Sequence, residues 1–125
     1  MNKIKIFIND LEFEGELNDE KIAKEIYEAL PIEAQASFWG EEIYFGVPVR
    51  IIQENLTEKV SIGDLAYWPE GNSFCIFYGK TPASVNGEPK PISPITIIGK
   101  ITKGDIKELK PLTEAQVKIN KQEIL

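Results

Sequence analysis

The sequence predicts a mainly β protein: a closed or nearly closed β-barrel of short antiparallel strands with one main helix, Asn18–Leu30. Three observations carry this expectation. Short apolar runs recur along the whole chain, several with strict period-two alternation. Neighbouring runs are joined by tight-turn residues, which makes them hairpins. Only one segment shifts clearly to a helical period. A sandwich is the alternative, but closure protects the strand edges that a small β protein otherwise exposes.

The elements follow in order. Lys3–Ile8 alternates with Ile4, Ile6 and Ile8 on one face, and Asn9-Asp10 makes a turn. Leu11–Leu17 alternates again, with Glu12, Glu14 and Glu16 facing out, so this Glu run is a solvated face and not a metal site. In Asn18–Leu30, residues Ile22, Ala23, Ile26, Tyr27 and Leu30 share one helical face. Asn18 suits the N-cap, Asp19 and Glu20 suit the positive end of the dipole, and Pro31 ends the helix. This helix is expected to cover an open end or face of the sheet. Ile32–Phe45 reads as a second hairpin turning at Gly40-Glu41, and Val49–Ile52 as a short strand followed by a polar connection, Gln53–Lys59. Leu65–Trp68 and Ser73–Tyr78 form a third hairpin around Pro69-Glu70-Gly71-Asn72, and its second strand is apolar on both faces. Gly79–Pro94, with four prolines and Asn86-Gly87, is a stiff extended loop. Ile95–Ile101 is a strand, Lys103–Leu109 a short helical turn, and Val117–Asn120 a last strand closing against the first.

Composition narrows the function classes. A chain of 125 residues is read as a single domain, 1–125, burying roughly 65% of its unfolded surface, so neither a disulfide nor a metal is needed for stability. Net charge is −6 and the Lys residues are interleaved with Glu, which argues against nucleic acid as a partner. No run has the length of a membrane span and the first residues alternate, so no membrane association is expected and a cytoplasmic location is the default. The chain has no His, which removes His-based triads and most zinc sites, and no cofactor or metal is expected. Cys75 is the lone cysteine and reads as a small buried hydrophobe.

Candidate motifs are few. Gly79-Lys80-Thr81 lacks the upstream glycine of a phosphate loop, where Phe74 stands, and is followed by Pro82. Asn55-Leu56-Thr57 is a chance match to a glycosylation acceptor. Glu41 and Glu42 sit on adjacent, oppositely facing positions and read as a polar turn. The remaining signal is aromatic. Trp39, Tyr44, Tyr67, Trp68, Phe74, Phe77 and Tyr78 cannot all point into one small barrel, so some must line an outer face or cleft. Arg50, the single Arg, reads either as a ligand contact or as a solvent-facing residue paired with a Glu. The candidate ligand-binding set is therefore Tyr67, Trp68, Phe74, Trp39, Tyr44 and Arg50.

Three blocks are distinctive: Trp39-Gly40-Glu41-Glu42-Ile43-Tyr44-Phe45; Gly63-Asp64-Leu65-Ala66-Tyr67-Trp68-Pro69 with Gly71; and Cys75 through Gly79-Lys80-Thr81-Pro82. Together they resemble a small prokaryotic family of uncharacterised cyclophilin-like proteins, over nearly the whole chain. The resemblance implies a cyclophilin-like barrel of about eight strands. True cyclophilins are peptidyl-prolyl isomerases that hold proline in an apolar cleft and polarise the amide with an Arg, helped by a Gln, a Trp and a His. Asn72-Ser73-Phe74-Cys75-Ile76 is similar to their cleft strand, with Phe74 retained but Ser73 in place of the Gln. No His is present, and Arg50 lacks the surrounding motif. The resemblance thus implies a cleft more than an activity. Binding of a small molecule or a proline-containing extended peptide is the leading expectation. A weak isomerase and an interaction module or homo-oligomer subunit are the alternatives.

Overall fold

The computed structural model describes residues 1–122. Eight antiparallel strands close into a barrel: β1 (Asn2–Ile8), β2 (Leu11–Leu17), β3 (Ile32–Phe38), β4 (Glu42–Gly46), β5 (Asp64–Trp68), β6 (Ser73–Phe77), β7 (Thr96–Lys103) and β8 (Ala115–Lys121). Around the barrel the order is β1-β2-β7-β5-β6-β4-β3-β8, so every strand has two neighbours and no edge is left open. One helix, α1 (Lys21–Ala29), connects β2 to β3. The predicted fold class, the order of the hairpins and the short helical turn at Ile106–Leu109 are all present.

Alternation decides which side chains fill the barrel. On β1, Ile4, Ile6 and Ile8 are fully covered while the residues between them are not. Their register partners on β2 and β8 include Gly15, Phe13 and Ile119, so the inward positions of three strands meet in layers. An eight-stranded barrel is just wide enough for such side chains to fill it. The buried face of α1 (Ile22, Ala23 and Ile26) joins the same apolar cluster, so the helix stops an open end of the barrel. β6 is buried at all five positions. Phe74 and Ile76 face the interior, whereas Cys75 and Phe77 belong to a second cluster on the outer surface with Ala66 and Ile95.

Two expectations are corrected. Val49–Ile52 is not a strand. Pro48 lacks an N–H, and the carbonyls of Val47 and Val49 accept instead from the side-chain amide of Asn72, at 3.2 and 3.0 Å. Asn18 does not cap the helix, which begins three residues later. Its Oδ1 accepts from the Glu20 N–H at 3.1 Å and its Nδ2 donates to the Ile97 carbonyl at 2.8 Å, fixing the strand-to-helix turn. The first-turn N–H of Ile22, which has no acceptor within the helix, donates instead to the Glu54 carboxylate at 3.0 Å, a cap supplied from 32 residues downstream.

The long segment between β6 and β7 folds back over the outer surface. The Thr81 hydroxyl donates to the Lys90 carbonyl at 2.5 Å, and the Thr81 N–H donates to Ser84 Oγ at 3.0 Å, which closes the segment into a compact loop. Its end is stitched to the β4–β5 connection by an antiparallel bridge: Thr57 N–H to Ile95 O at 2.8 Å and Ile95 N–H to Thr57 O at 2.9 Å. This places Ile95 on Ala66, Cys75 and Phe77 and forms one wall of a cleft.

Candidate functional site

The cleft lies on the outer face of β4, β6 and β5, and four segments build it. Trp39 enters from the turn after β3, Glu42 and Tyr44 from one face of β4, and Trp68 from the end of β5. Pro91, Ile92 and Ile95 of the returning loop form the opposite wall. The free volume is about 60 Å³.

Local backbone geometry sets the aromatic rings. Gly40 turns the chain between Trp39 and Glu42 at φ +59°, and a Cβ there would come within 2.8 Å of the Thr81 Cα. Gly71 lies under the Trp68 indole, and a Cβ at that position would overlap the six-membered ring. The indole N–H donates to Ser93 Oγ at 2.6 Å, and that hydroxyl donates to the Glu70 carboxylate at 3.1 Å. The ring is thus held from below by the turn and at its edge by the loop. Tyr44 meets Trp68 edge to face, with centroids 6.1 Å apart and planes at 88°.

Glu42 is the feature that sequence reasoning missed. It is only 6% exposed, and among the described residues it has no ion-pair partner. Burial pushes its carboxyl up to about 7, opposed in part by a weak hydrogen bond from the Cys75 thiol on β6. That thiol also approaches the Ser73 carbonyl, at 3.9 Å. Burial and the neighbouring carboxylate push the Cys75 thiol well up, so it is protonated and unsuited to nucleophilic work. Glu41 behaves as a turn residue: it accepts from the Lys80 N–H at 3.0 Å and pairs with Lys110 at 3.3 Å. The two carboxyls therefore diverge as expected, but one of them is buried in the cleft wall.

The predicted site residues separate into three groups. Trp39, Tyr44 and Trp68 come together in the cleft. Tyr67 and Phe74 do not reach it. They point into the barrel and are fully covered, because their β5 and β6 positions have the opposite parity to Trp68 and Cys75. Arg50 is also elsewhere: it is exposed on the helix side, with its guanidinium 3.1 Å from Glu25. A wider groove of about 460 Å³ opens between Glu58–Ser61 and Val85–Lys90. Charged residues of both signs line it without an aromatic or a buried polar group, so it lacks convergent chemistry.

A closed eight-stranded barrel, stopped by a helix and carrying an apolar cleft on its outer wall, is a cyclophilin-type architecture. The chain belongs to the cyclophilin-like family, whose model matches residues 2–120. It is also similar to the hypothetical protein AF2241 from Archaeoglobus fulgidus, known from its solution structure. The two share 33% sequence identity with a TM-score of 0.83, over 97% of this chain and 95% of the archaeal one. No curated protein matches the chain. Among the described residues no helix is long and apolar enough to cross a membrane.

Proposed function

We propose that the protein is a binding module whose outer cleft grips one side chain of an extended peptide. The observation that carries this reading is the convergence of Trp39, Tyr44 and Trp68 on a cleft of about 60 Å³. Drug-sized ligands occupy pockets of roughly 300–1,000 Å³. Sixty falls well short of that, so size favours a single protruding group, such as a proline ring, over a free metabolite. The apolar wall of Pro91, Ile92 and Ile95 suits the aliphatic part of such a group. Holding is favoured over rotating the bound amide, because no cationic side chain lines the cleft to polarise the carbonyl. The only Arg sits with the helix, and neither Lys nor Arg lines the cleft.

Titration of intrinsic Trp fluorescence with Ala-Pro peptides and with a metabolite set tests the reading. A saturable change with peptides that is lost in Trp68→Leu supports it. A flat response to every peptide defeats it. In the same samples, a coupled cis–trans assay is expected to run at the uncatalysed rate, and catalysis that survives Arg50→Ala would call for a different polarising group.

A further inference from the structure

We infer that the cleft is a cation cage, whose ligand carries a compact alkylated ammonium group, of the kind a trimethylated lysine presents, seated among Trp39, Tyr44 and Trp68 beside Glu42. The inference rests on the binding reading above and names the chemistry of the bound group.

Four observations converge on it. First, aromatic faces carry negative potential and attract cations most strongly where water is excluded. Here three such rings line one small space, and two of them, Tyr44 and Trp68, are fixed against each other edge to face at 88°. Second, the Trp68 N–H is already committed to Ser93, so the indole meets a ligand with carbon surface and not with a donor. Third, a buried carboxyl lies in the same wall with no cationic partner among the described residues. Such a group is costly when charged and alone, and a cation in the cleft removes that cost. Among the described residues the cation–π contact is Lys121 over Tyr27, away from these rings. Fourth, the volume of about 60 Å³ limits the occupant to one compact group, such as a small head group.

The degree of alkylation follows from hydrogen-bond accounting. A primary ammonium brings three N–H donors, each needing an acceptor once buried. The side chains lining the cleft offer two accepting groups, the Glu42 carboxyl and the Tyr44 hydroxyl, while the Trp39 indole N–H can only donate. A trimethylammonium group has no N–H to satisfy and is weakly hydrated, so it loses little on entering. The net charge of −6 gives a cationic partner a favourable approach.

Three probes test this by fluorescence titration: N-acetyl-trimethyllysine amide, its unmethylated lysine counterpart, and a neutral isostere carrying tert-butyl in place of trimethylammonium. The expected result is at least tenfold tighter binding of the trimethyl cation than of either comparison. Glu42→Gln should weaken the cation several-fold while leaving the isostere unchanged, which also shows that the variant is folded. Trp68→Phe, a milder change to the cage, should weaken the cation as well. Equal affinity for cation and isostere overturns the cage and leaves the peptide cleft standing. So does binding of Ala-Pro peptides with no response to the cation. Failure of every probe, peptides included, overturns both readings.

Discussion

Glu42 bears a cost that the rest of its neighbourhood does not repay. A carboxyl moved from 4.5 to about 7 holds its proton more tightly in the folded chain than in the unfolded one. Its contribution is therefore neutral below about pH 4.5, turns destabilising as pH rises through that value, and levels off above about 7. Full ionisation costs the folded state on the order of 3 kcal/mol. Urea denaturation across this range checks the sign. Glu42→Gln and the parent should differ least in acid, diverge between pH 4.5 and 7 with the variant more stable, and stay apart by a constant amount above. Parallel curves would mean that the carboxyl is well hydrated. Nothing in the local sequence announces this. Glu41-Glu42 before an apolar run looks like an ordinary solvated turn, and half of the pair is one. The thiol that meets its carboxyl, Cys75, and the loop wall across the cleft come about thirty to fifty residues later, and proximity over that distance has no signature in a window of ten.

At the scale of elements, the barrel borrows groups across long gaps. Helix α1 starts at Lys21, three residues after the predicted start, and its N-terminal donor is satisfied by Glu54. Asn55, next in the chain, donates to the Glu20 carboxylate at 2.9 Å, so the connection after β4 clamps the helix start from two positions. Glu54→Ala should lower stability by about 1 kcal/mol, in line with loss of a helix cap, and Glu54→Gln, which keeps an acceptor oxygen, by less. The midpoint of urea unfolding reads both. Asn18 had the right chemistry for a cap, yet its side chain spans from Glu20 to β7 instead. The third hairpin shows the complementary limit. Its strands were legible because they are short, apolar and joined by Pro69–Asn72. Their facing was not, because a strand that is apolar on both sides carries no parity signal. Barrel closure supplies the parity, sending Tyr67 and Phe74 inward and leaving Trp68 at the cleft.

Over the whole molecule, β8 does the closing: Ile119 faces Ile6 on one side and Ile32 on the other. It is fully buried, so Ile119→Ala should cost about 2–5 kcal/mol, whereas Ile92→Ala, on an exposed loop position, should stay within about 0.5 kcal/mol. Chemical denaturation of the two variants compares core with cleft rim directly. The barrel itself was readable because β1 and β2 alternate cleanly, and because so many short strands require partners on both edges. The pairings of β2 with β7 and of β3 with β8 join segments some eighty residues apart, and only three-dimensional closure selects them.

The same closure brings the two ends of the described chain side by side, with the Gln122 N–H donating to the Lys3 carbonyl at 3.0 Å. A circular permutant follows from this. The ends can be bridged by a short linker and new termini opened at Asn86-Gly87, in the exposed tip of the loop that walls the cleft. All eight strands would keep their partners, while the cleft wall would hang from a cut end. Folding and the binding proposed for the cleft, tied together in the natural order of the chain, would then become separately measurable.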